Sequence, residues 1–259
     1  MSNKDSWNSM KVVNVYVREK KLQKPEETIV GLIDPQLPDW RMLDIGIGLG
    51  RTTHHFAPRV KEYIGIDYSF AMIKTYRQLF PDSSLNGNIR LGDARMMQDF
   101  ETNYFDFILF SFNGIDYISH EDRLHALEEI KRVGKKGGLF IFSTHNLQYI
   151  DNLYSIKFGG NLKHFLYQCY RYLRLIYHNG LPQKYRDKDF AIINDSAYHF
   201  KVTTYYIKPS AQIEQLERLG FKNIRLFSLK TGEEIPKADL HAITKDSWIY
   251  YLCELPSEN

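Results

Sequence analysis

The sequence predicts an α/β fold in which a mostly parallel sheet is covered by helices on both faces. Apolar, strand-like segments alternate with helix-like segments from residue 40 to residue 146, a rhythm typical of parallel βαβ units. Residues 105–111 form a nearly continuous apolar run, as a central strand buried on both faces requires. Residues 41–45 lead into three closely spaced glycines and then a helix.

The elements are assigned in chain order. Residues 11–33 carry apolar residues at helical spacing and are interpreted as part of an N-terminal helical segment, residues 1–39, that packs at the entrance to the main domain. Strands are then predicted at residues 41–45, 62–66, 89–92, 105–111 and 135–143, and helices up to about residue 58 and at residues 70–80 and 121–132. Five β/α units are therefore complete by residue 146.

The second half of the chain is less regular. Residues 147–200 are rich in Tyr, Phe, Lys and Arg, and their clearest helix is predicted at residues 162–176. Alternation returns with a helix at residues 211–220, which ends at a glycine, and with strands at residues 221–229 and 248–253. We therefore expect one domain of seven strands over residues 40–259. We expect residues 147–200 to form a mainly helical insertion that binds the substrate or acts as a lid.

Composition excludes several classes of protein. No window approaches eighteen uninterrupted apolar residues, so no transmembrane segment is predicted. Cys169 and Cys253 are far apart and signal neither a disulfide framework nor a zinc site. A net charge of +3 is too small to indicate nucleic acid as the main partner. The first seven residues lack an apolar signal core, so we expect a cytoplasmic protein. No metal site is expected.

The loop Gly46-Ile47-Gly48-Leu49-Gly50 is the strongest ligand-binding signal. Glycine allows positive φ and removes the Cβ that would hold a ligand away, so this loop can present N–H groups to a small polar molecule. A nicotinamide-binding turn would need glycine or alanine at the position of Arg51. A Walker loop is excluded, because no Gly-Lys-Ser/Thr closes the motif.

Three acidic residues accompany the strand ends near this loop. Asp44 comes just before the glycines, Asp67 ends the second strand, and Asp93 follows the third. A carboxylate at the end of the second strand can accept both hydroxyl protons of a ribose. Three acids and three glycines at one sheet edge favour a nucleoside with positively charged groups over one with phosphates.

These motifs resemble the class I S-adenosylmethionine-dependent methyltransferases. The matching segments are residues 43–50, 65–69, 92–94, 105–106 with the strand after them, and 136–138. The resemblance covers residues 40–146 and implies a Rossmann-like sheet whose last strand, at residues 248–253, is antiparallel and lies beside the fifth. It also implies S-adenosylmethionine as cofactor and S-adenosylhomocysteine as its product.

The resemblance also places individual residues at the cofactor. The glycine loop would hold the methionine part, Asp67 the ribose hydroxyls and Asp93 the adenine amino group, while Tyr68 would pack on the adenine ring. The end of the fourth strand would lie near the cofactor's amino group and the reacting methyl group. The complete predicted set is Asp44, Gly46, Gly48, Gly50, Asp67, Tyr68, Asp93, Ala94, Phe110 and Ser111.

Methyl transfer from a sulfonium is a direct displacement in which orientation supplies much of the catalysis and no metal is required. A neutral amine or hydroxyl acceptor must also lose a proton, whereas a carboxylate acceptor needs no base. His145, directly after the fifth strand, is the first candidate base, and His199 in the insertion is the second. The predicted acceptor contacts are Tyr16, Asn113, Asn146 and Tyr198.

The acceptor is expected to be a small molecule or a peptide. Residues 111–117 lack the Asn/Asp-Pro-Pro-Tyr segment that resembling enzymes use on exocyclic amines, which argues against DNA-base methylation. Having two cysteines argues against arsenic methylation. The aromatic and basic insertion suggests a flat or partly apolar acceptor, such as a natural-product, modified-peptide or sugar intermediate, to be methylated at O or N.

Alternatives remain open for the whole chain and for the insertion. The chain is either an active methyltransferase or a cofactor-binding protein of the same fold that acts through partner binding by residues 147–200. Within the insertion, Phe165, Tyr172 and Ile176 could pin the helix to the core, with its basic residues as a solvated face. The basic helix could instead rest on an acidic membrane or a carrier protein.

Overall fold

The computed structural model describes residues 21–157 and 159–256. Within them the strands are β1 (Arg41–Ile45), β2 (Glu62–Asp67), β3 (Ile89–Leu91), β4 (Phe105–Phe110), β5 (Gly134–Asn146), β6 (Phe190–Ile193), β7 (Thr204–Ile207), β8 (Lys222–Ser228), β9 (Glu234–Ile235) and β10 (Trp248–Glu254). The α-helices are α1 (Lys24–Ile33), α2 (Thr53–Phe56), α3 (Phe70–Leu79), α4 (His120–Val133), α5 (Ile150–Tyr154), α6 (Leu162–Asn179) and α7 (Pro209–Arg218). None of the helices in these two ranges is long and apolar enough to cross a membrane.

The main path of the sheet has the strand order β3-β2-β1-β4-β5-β10-β8-β9. β1 pairs in parallel with β2 and β4, and β4 pairs in parallel with β5. β10 lies between β5 and β8 and is antiparallel to both. The predicted α/β class, with a mostly parallel sheet and an antiparallel last strand beside the fifth, is confirmed.

The sheet contains ten strands among the described residues, where seven were predicted. The short β9 extends one edge, and the insertion adds the antiparallel β6–β7 hairpin. β5 continues to Asn146, beyond its last pairing with β4 at Phe142. β7 pairs in parallel with the end of β5 at His145 and Asn146. The insertion is therefore joined to the sheet at the strand end where the first candidate base lies.

Alternate residues of the central strand β4 enter hydrophobic clusters on opposite faces of the sheet. Ile108 and Phe110 belong to one cluster, whereas Phe107 and Leu109 belong to the other. Both pairs are buried. The continuous apolar run that predicted a central strand is explained by this two-sided burial.

Helix ends follow local signals. α4 begins after Ser119, whose hydroxyl accepts the Asp122 N–H, and α7 ends in a Schellman motif in which the Phe221 N–H donates to the Leu216 carbonyl. Gly220, at φ +90°, takes the left-handed position of that motif. α1 confirms the part of the N-terminal helical prediction that lies at residues 24–33, while residues 11–20 lie outside the described residues.

Candidate functional site

A cleft of about 790 Å³ opens at the carboxyl end of the sheet, beside β1, β2 and β4. β1 lies between β2 and β4, and such a switch in strand order is where doubly wound sheets bind ligands. An adjoining hollow shares Gly46, Gly48, Ser111 and Phe112 with the cleft and includes Asp44. The predicted cofactor residues that line the cleft are Gly46, Gly48, Asp67, Tyr68, Asp93, Ala94, Phe110 and Ser111.

The glycine loop adopts the conformation for which glycine is suited. Gly46, Gly48 and Gly50 have φ values of +71°, +55° and +83°. A Cβ on Gly50 would lie 2.5 Å from Cε2 of Tyr76, whereas a Cβ on Gly48 would meet open space. Gly48 therefore shapes the cleft, and Gly50 permits close packing of the loop on α3.

Asp67 lies at the floor of the cleft with its side chain buried. Its Oδ2 accepts the Gly48 N–H at 2.9 Å and its Oδ1 accepts the Ser69 N–H at 2.8 Å. Burial raises the pKa of Asp67 from 3.8 to about 6, although both backbone donors act in the opposite direction. Each carboxylate oxygen has two lone pairs, so Asp67 retains acceptor capacity for a diol at the cleft.

Asp44 braces the glycine loop from below. The Thr52 and Tyr63 hydroxyls donate to its Oδ2 at 2.6 and 2.7 Å. Burial raises the pKa of Asp44 to about 6 in spite of these two bonds. The structure thus places Asp44 in a bracing position that also borders the adjoining hollow.

Asp93 reaches the cleft as part of an ion-paired cluster. Arg95 donates from Nε to Oδ1 at 2.9 Å and from Nη2 to Oδ2 at 2.6 Å, forming a bidentate pair. The same guanidinium donates from Nη1 to Asp122 at 2.8 Å. An adenine amino group that contacts Asp93 would therefore have to share its carboxylate with Arg95. Ala94, the next residue, is buried in the cleft wall.

A buried network beside the glycine loop was not foreseen from the sequence. Arg51 forms a bidentate ion pair with Glu26 of α1, with N–O distances of 2.5 and 2.7 Å. Ser111 donates to Glu26, Arg51 donates to Ser111 at 3.0 Å, and the Tyr250 hydroxyl donates to Glu26 at 3.0 Å. Burial by itself raises the pKa of Glu26, but the hydrogen bonds and charge of Arg51 outweigh it and lower the pKa.

This network joins four distant parts of the chain at one edge of the site. The local sequence around Glu26 fits the third helical position of a capping box with Gln23, and the structure shows that capping box. Nothing in its local pattern points to Arg51, which lies 25 residues away. Ser111 is thereby placed where it was predicted, at the end of β4, but as a member of an ionic network.

His145 is held by a buried carboxylate that sequence reasoning also missed. Asp116 Oδ2 lies 2.7 Å from His145 Nδ1 and accepts the His145 backbone N–H at 2.7 Å. Its Oδ1 accepts from Thr144 and from the fully buried Arg123, each at 2.6 Å. Four donors converging on one acceptor-only carboxylate orient Nδ1–H toward Asp116 and leave Nε2 of His145 as the acceptor.

His145 lies near the cleft without lining it. Its ring meets the Trp248 ring with centroids 5.7 Å apart, and Trp248 meets Phe112 of the cleft wall at 5.6 Å. On its other side, the Tyr206 ring of β7 lies 4.8 Å away. Aromatic rings therefore flank His145, and Trp248 contacts both His145 and Phe112 of the cleft wall. The order of residues along the chain carried no signal for this arrangement.

The remaining predicted residues are placed in different ways. Tyr198 packs with Tyr68 and Tyr117 against the cluster of Leu49 and Met72, at the cleft. Asn113 is buried at φ +59°, and its Oδ1 has no hydrogen-bond partner among the described residues. His199 is exposed in the insertion.

Asn146 and Tyr16 complete the predicted set. The Asn146 side-chain amide donates to the carbonyl groups of Ile243 and Asp246, and its Oδ1 accepts the Gln148 N–H. Its side chain is therefore occupied by backbone groups that join the end of β5 to the start of β10. Tyr16 lies outside the described residues.

The charges around the cleft favour a nucleoside that carries a positive charge over one with phosphates. Arg95 at the cleft and Arg51 at the adjoining hollow are both committed to carboxylates. The Tyr68 hydroxyl is buried and has no hydrogen-bond partner among the described residues, so a bound ligand could satisfy it. Asp67 and the positive-φ loop complete a polar floor beside the apolar walls of Ala94 and Phe110.

Comparison with known proteins agrees with this geometry. Residues 42–138 match the profile of a family described as a methyltransferase domain. An uncharacterized methyltransferase, YcgJ, of Bacillus subtilis is 32% identical over 108 residues, which are 40% of this chain and 40% of that protein. A demethylmenaquinone methyltransferase of Renibacterium salmoninarum is 30% identical over 105 residues, 40% of this chain and 41% of that protein.

The fold is shared over a longer stretch. An S-adenosylmethionine-dependent methyltransferase from Clostridium acetobutylicum superposes with a TM-score of 0.61 at 16% identity, covering 98% of this chain and 99% of that structure. By contrast, the alignments with the two curated relatives span about 40% of their length. Residues 42–138 therefore match a methyltransferase domain, and the chain shares the fold of S-adenosylmethionine-dependent methyltransferases, in agreement with the predicted family and cofactor.

Proposed function

We propose that this protein transfers a methyl group from S-adenosylmethionine to a hydroxyl oxygen or an amine nitrogen of a small organic acceptor. The observation that carries the proposal is Asp67, a buried carboxylate with spare acceptor capacity at the floor of a cleft formed by positive-φ glycines. The match of residues 42–138 to a methyltransferase domain supports the same activity.

Residues of this chain would hold the cofactor by complementary groups. Asp67 would accept the ribose hydroxyl protons, the glycine loop would admit the methionine part, and Ala94 with Tyr68 would border the adenine. When bound, the cofactor supplies a methyl group on a positively charged sulfur. The protein's contribution is to orient the acceptor and exclude water.

His145 is proposed as the base that takes the acceptor's proton. Asp116 holds Nδ1 at 2.7 Å, so the free Nε2 would receive the proton as the acceptor's lone pair forms its new bond. The Trp248 and Tyr206 rings beside His145, and Phe112 at the cleft wall, favour an acceptor with a flat or apolar part.

Two successive measurements test the proposal. Calorimetric titration with S-adenosylmethionine and S-adenosylhomocysteine should show binding of both, and Asp67→Ala should weaken it while Asp82→Ala, at an exposed position, should not. Incubation with a panel of hydroxyl and amine compounds should then yield a methylated product by mass spectrometry. Absence of cofactor binding would overturn the proposal. Binding without any methyl transfer would favour the alternative function, a protein that binds the cofactor and acts through partner binding.

A further inference from the structure

The helix α6 presents an apolar stripe outward. Leu162, Leu166, Tyr170, Leu173 and Tyr177 recur at intervals of three or four residues, so they share one face of the helix. Leu166, Leu173 and Tyr177 are 57%, 64% and 80% exposed. We call these five residues the α6 stripe.

The opposite face of α6 contains polar groups. Its buried residues are Gln168, Leu175 and Asn179, and Gln168 and Asn179 are only 8% and 6% exposed. The Asn179 amide donates to the carbonyl groups of Leu175 and Asn194, which explains how a polar residue is accommodated there. Leu175, Tyr172 and Ile176 also pack in the core of the insertion, so α6 has apolar residues on its inward face and a second apolar stripe toward solvent. A surface helix of a globular protein normally exposes polar residues on that side.

The charge of the helix has a single sign. Residues 162–179 contain Lys163, Arg171 and Arg174 and no aspartate or glutamate. At 100° per residue, Lys163 and Arg174 fall along one side of the stripe. Arg171 instead points inward and donates to the carbonyl groups of Leu153 and Ser155.

The helix is connected to the mouth of the cleft through the insertion. His178 stacks on the Phe200 ring with centroids 5.2 Å apart, and the Arg174 guanidinium lies 5.2 Å from the same ring. Tyr198, two residues earlier than Phe200, packs at the cleft with Tyr68. Ring contacts and a short stretch of chain therefore connect α6 with residues beside the cleft.

We propose that α6 docks on an anionic lipid bilayer, with the α6 stripe buried at the interface and the cations facing lipid headgroups. An outward apolar stripe, flanking Lys and Arg, and tyrosines at its edge are the features of helices that lie in a membrane surface. A second copy of the chain is a poorer occupant, because symmetric packing of two such helices would bring like charges together.

Vesicle binding tests this proposal without cofactor or acceptor, so its outcome is independent of the proposed methyl transfer. The full chain should co-float with vesicles of equal parts phosphatidylglycerol and phosphatidylcholine and should not co-float with vesicles of phosphatidylcholine alone. Raising the salt concentration should release it, because exposed charges are screened. A chain that ignores anionic vesicles at low salt would overturn the proposal.

Variants locate the contact. Leu166→Glu and Leu173→Glu should each reduce the vesicle partition coefficient by about tenfold or more, since each removes a leucine from the interface and adds a repelled charge. Leu79→Glu, at a 45% exposed leucine on the unrelated helix α3, is the matched control and should bind like the parent. Equal loss in all three variants would assign binding to general charge and overturn the role of α6.

Two further measurements distinguish a lipid bilayer from a second copy of the chain as the surface that covers the α6 stripe. Tyr170→Trp should shift its fluorescence emission to shorter wavelength with anionic vesicles, because the indole enters a less polar environment. Light scattering after size exclusion should give a monomer for both the parent chain and Leu166→Glu. A parent dimer that Leu166→Glu dissociates would show that a second copy covers the stripe, and would overturn the bilayer proposal.

Discussion

At Asp67, burial and backbone hydrogen bonding act on one carboxyl group in opposite directions. Burial is the larger effect, and the pKa rises to about 6. Because this pKa is above the ordinary value of 3.8, the group favours folding of the ligand-free protein at low pH, and that contribution is lost as pH rises through about 6. In the proposed site, cofactor hydroxyls would reverse the preference, because they would donate to the ionised form.

Cofactor affinity should therefore fall at acid pH. With one proton competing at a pKa of about 6, the dissociation constant should rise about tenfold between roughly pH 7 and pH 5. Asp67→Ala should weaken binding by about 2–3 kcal/mol at neutral pH, because diol protons lose their partner. Calorimetry across this pH range checks both, and a pH dependence that persists unchanged in Asp67→Ala would assign it to another group.

His145, as the proposed base, should affect turnover and not cofactor binding. His145→Ala should lower kcat by about 100-fold or more while leaving cofactor affinity intact, because it removes the proton acceptor and no predicted cofactor contact. Single-turnover kinetics on an acceptor found by screening provides the measurement. His199→Ala is the comparison at the exposed second candidate. If its loss exceeds that of His145→Ala, the role of base belongs to His199.

At the scale of elements, the ion pair between Arg51 and Glu26 ties α1 to the glycine loop. Both side chains are largely withdrawn from water, with side-chain exposures of 11% and 1%. A buried pair of this kind contributes little net stability relative to apolar residues, but removing one partner leaves an uncompensated charge. The position of α1 and the shape of the loop are consequently coupled.

Glu26→Gln should destabilise the protein by about 3–5 kcal/mol, because Arg51 then remains buried without a counter-charge. Urea unfolding of the variant measures the loss. Glu27→Gln, at the exposed neighbouring glutamate of α1, should stay within about 0.5 kcal/mol of the parent. Equal stability of the two variants would mean that the pair does not hold α1 in solution.

The glycine loop permits a paired test within one element. Gly50→Ala should cost more stability than Gly48→Ala, because its Cβ would lie 2.5 Å from the Tyr76 ring while that of Gly48 meets open space. Both pay about 1–2 kcal/mol for a left-handed alanine. Gly48→Ala should instead show the larger loss in cofactor affinity, since Gly48 lines the cleft. Urea unfolding measures the stability of both variants, and calorimetry measures their cofactor affinity. If Gly48→Ala loses more stability and Gly50→Ala loses more affinity, the roles given to the two glycines are wrong.

At the scale of the whole molecule, the proposed cofactor site is lined by residues from separate β/α units, so binding should stabilise the domain. S-adenosylhomocysteine at about 100 times its dissociation constant adds about 2.7 kcal/mol to the free energy of unfolding. For a chain of this size the Tm should rise by roughly 5–10 °C. Differential scanning fluorimetry checks the shift. Asp82→Ala should retain it and Asp67→Ala should lose most of it; an equal shift in both would remove Asp67 from the site.

Local patterns determined much of the fold and the conformation of the glycine loop. A central strand must be apolar on both faces, so β4 was visible in the sequence, and the glycines at 46, 48 and 50 predicted the positive φ that the loop adopts. The β6–β7 hairpin was missed, because β7 pairs with the end of β5, a little over sixty residues earlier in the chain.

Tertiary structure alone decided the ionic partners and the face of α6. Arg51 with Glu26, and His145 with Asp116, meet across 25 and 29 residues, and no local rule specifies which charges come together in space. The sequence showed that α6 is aromatic and basic, but a helical pattern does not say which face meets the core. Packing placed Leu175, Gln168 and Asn179 inward and the α6 stripe outward, and the carbonyl groups of Leu175 and Asn194 accept from the inward Asn179 amide.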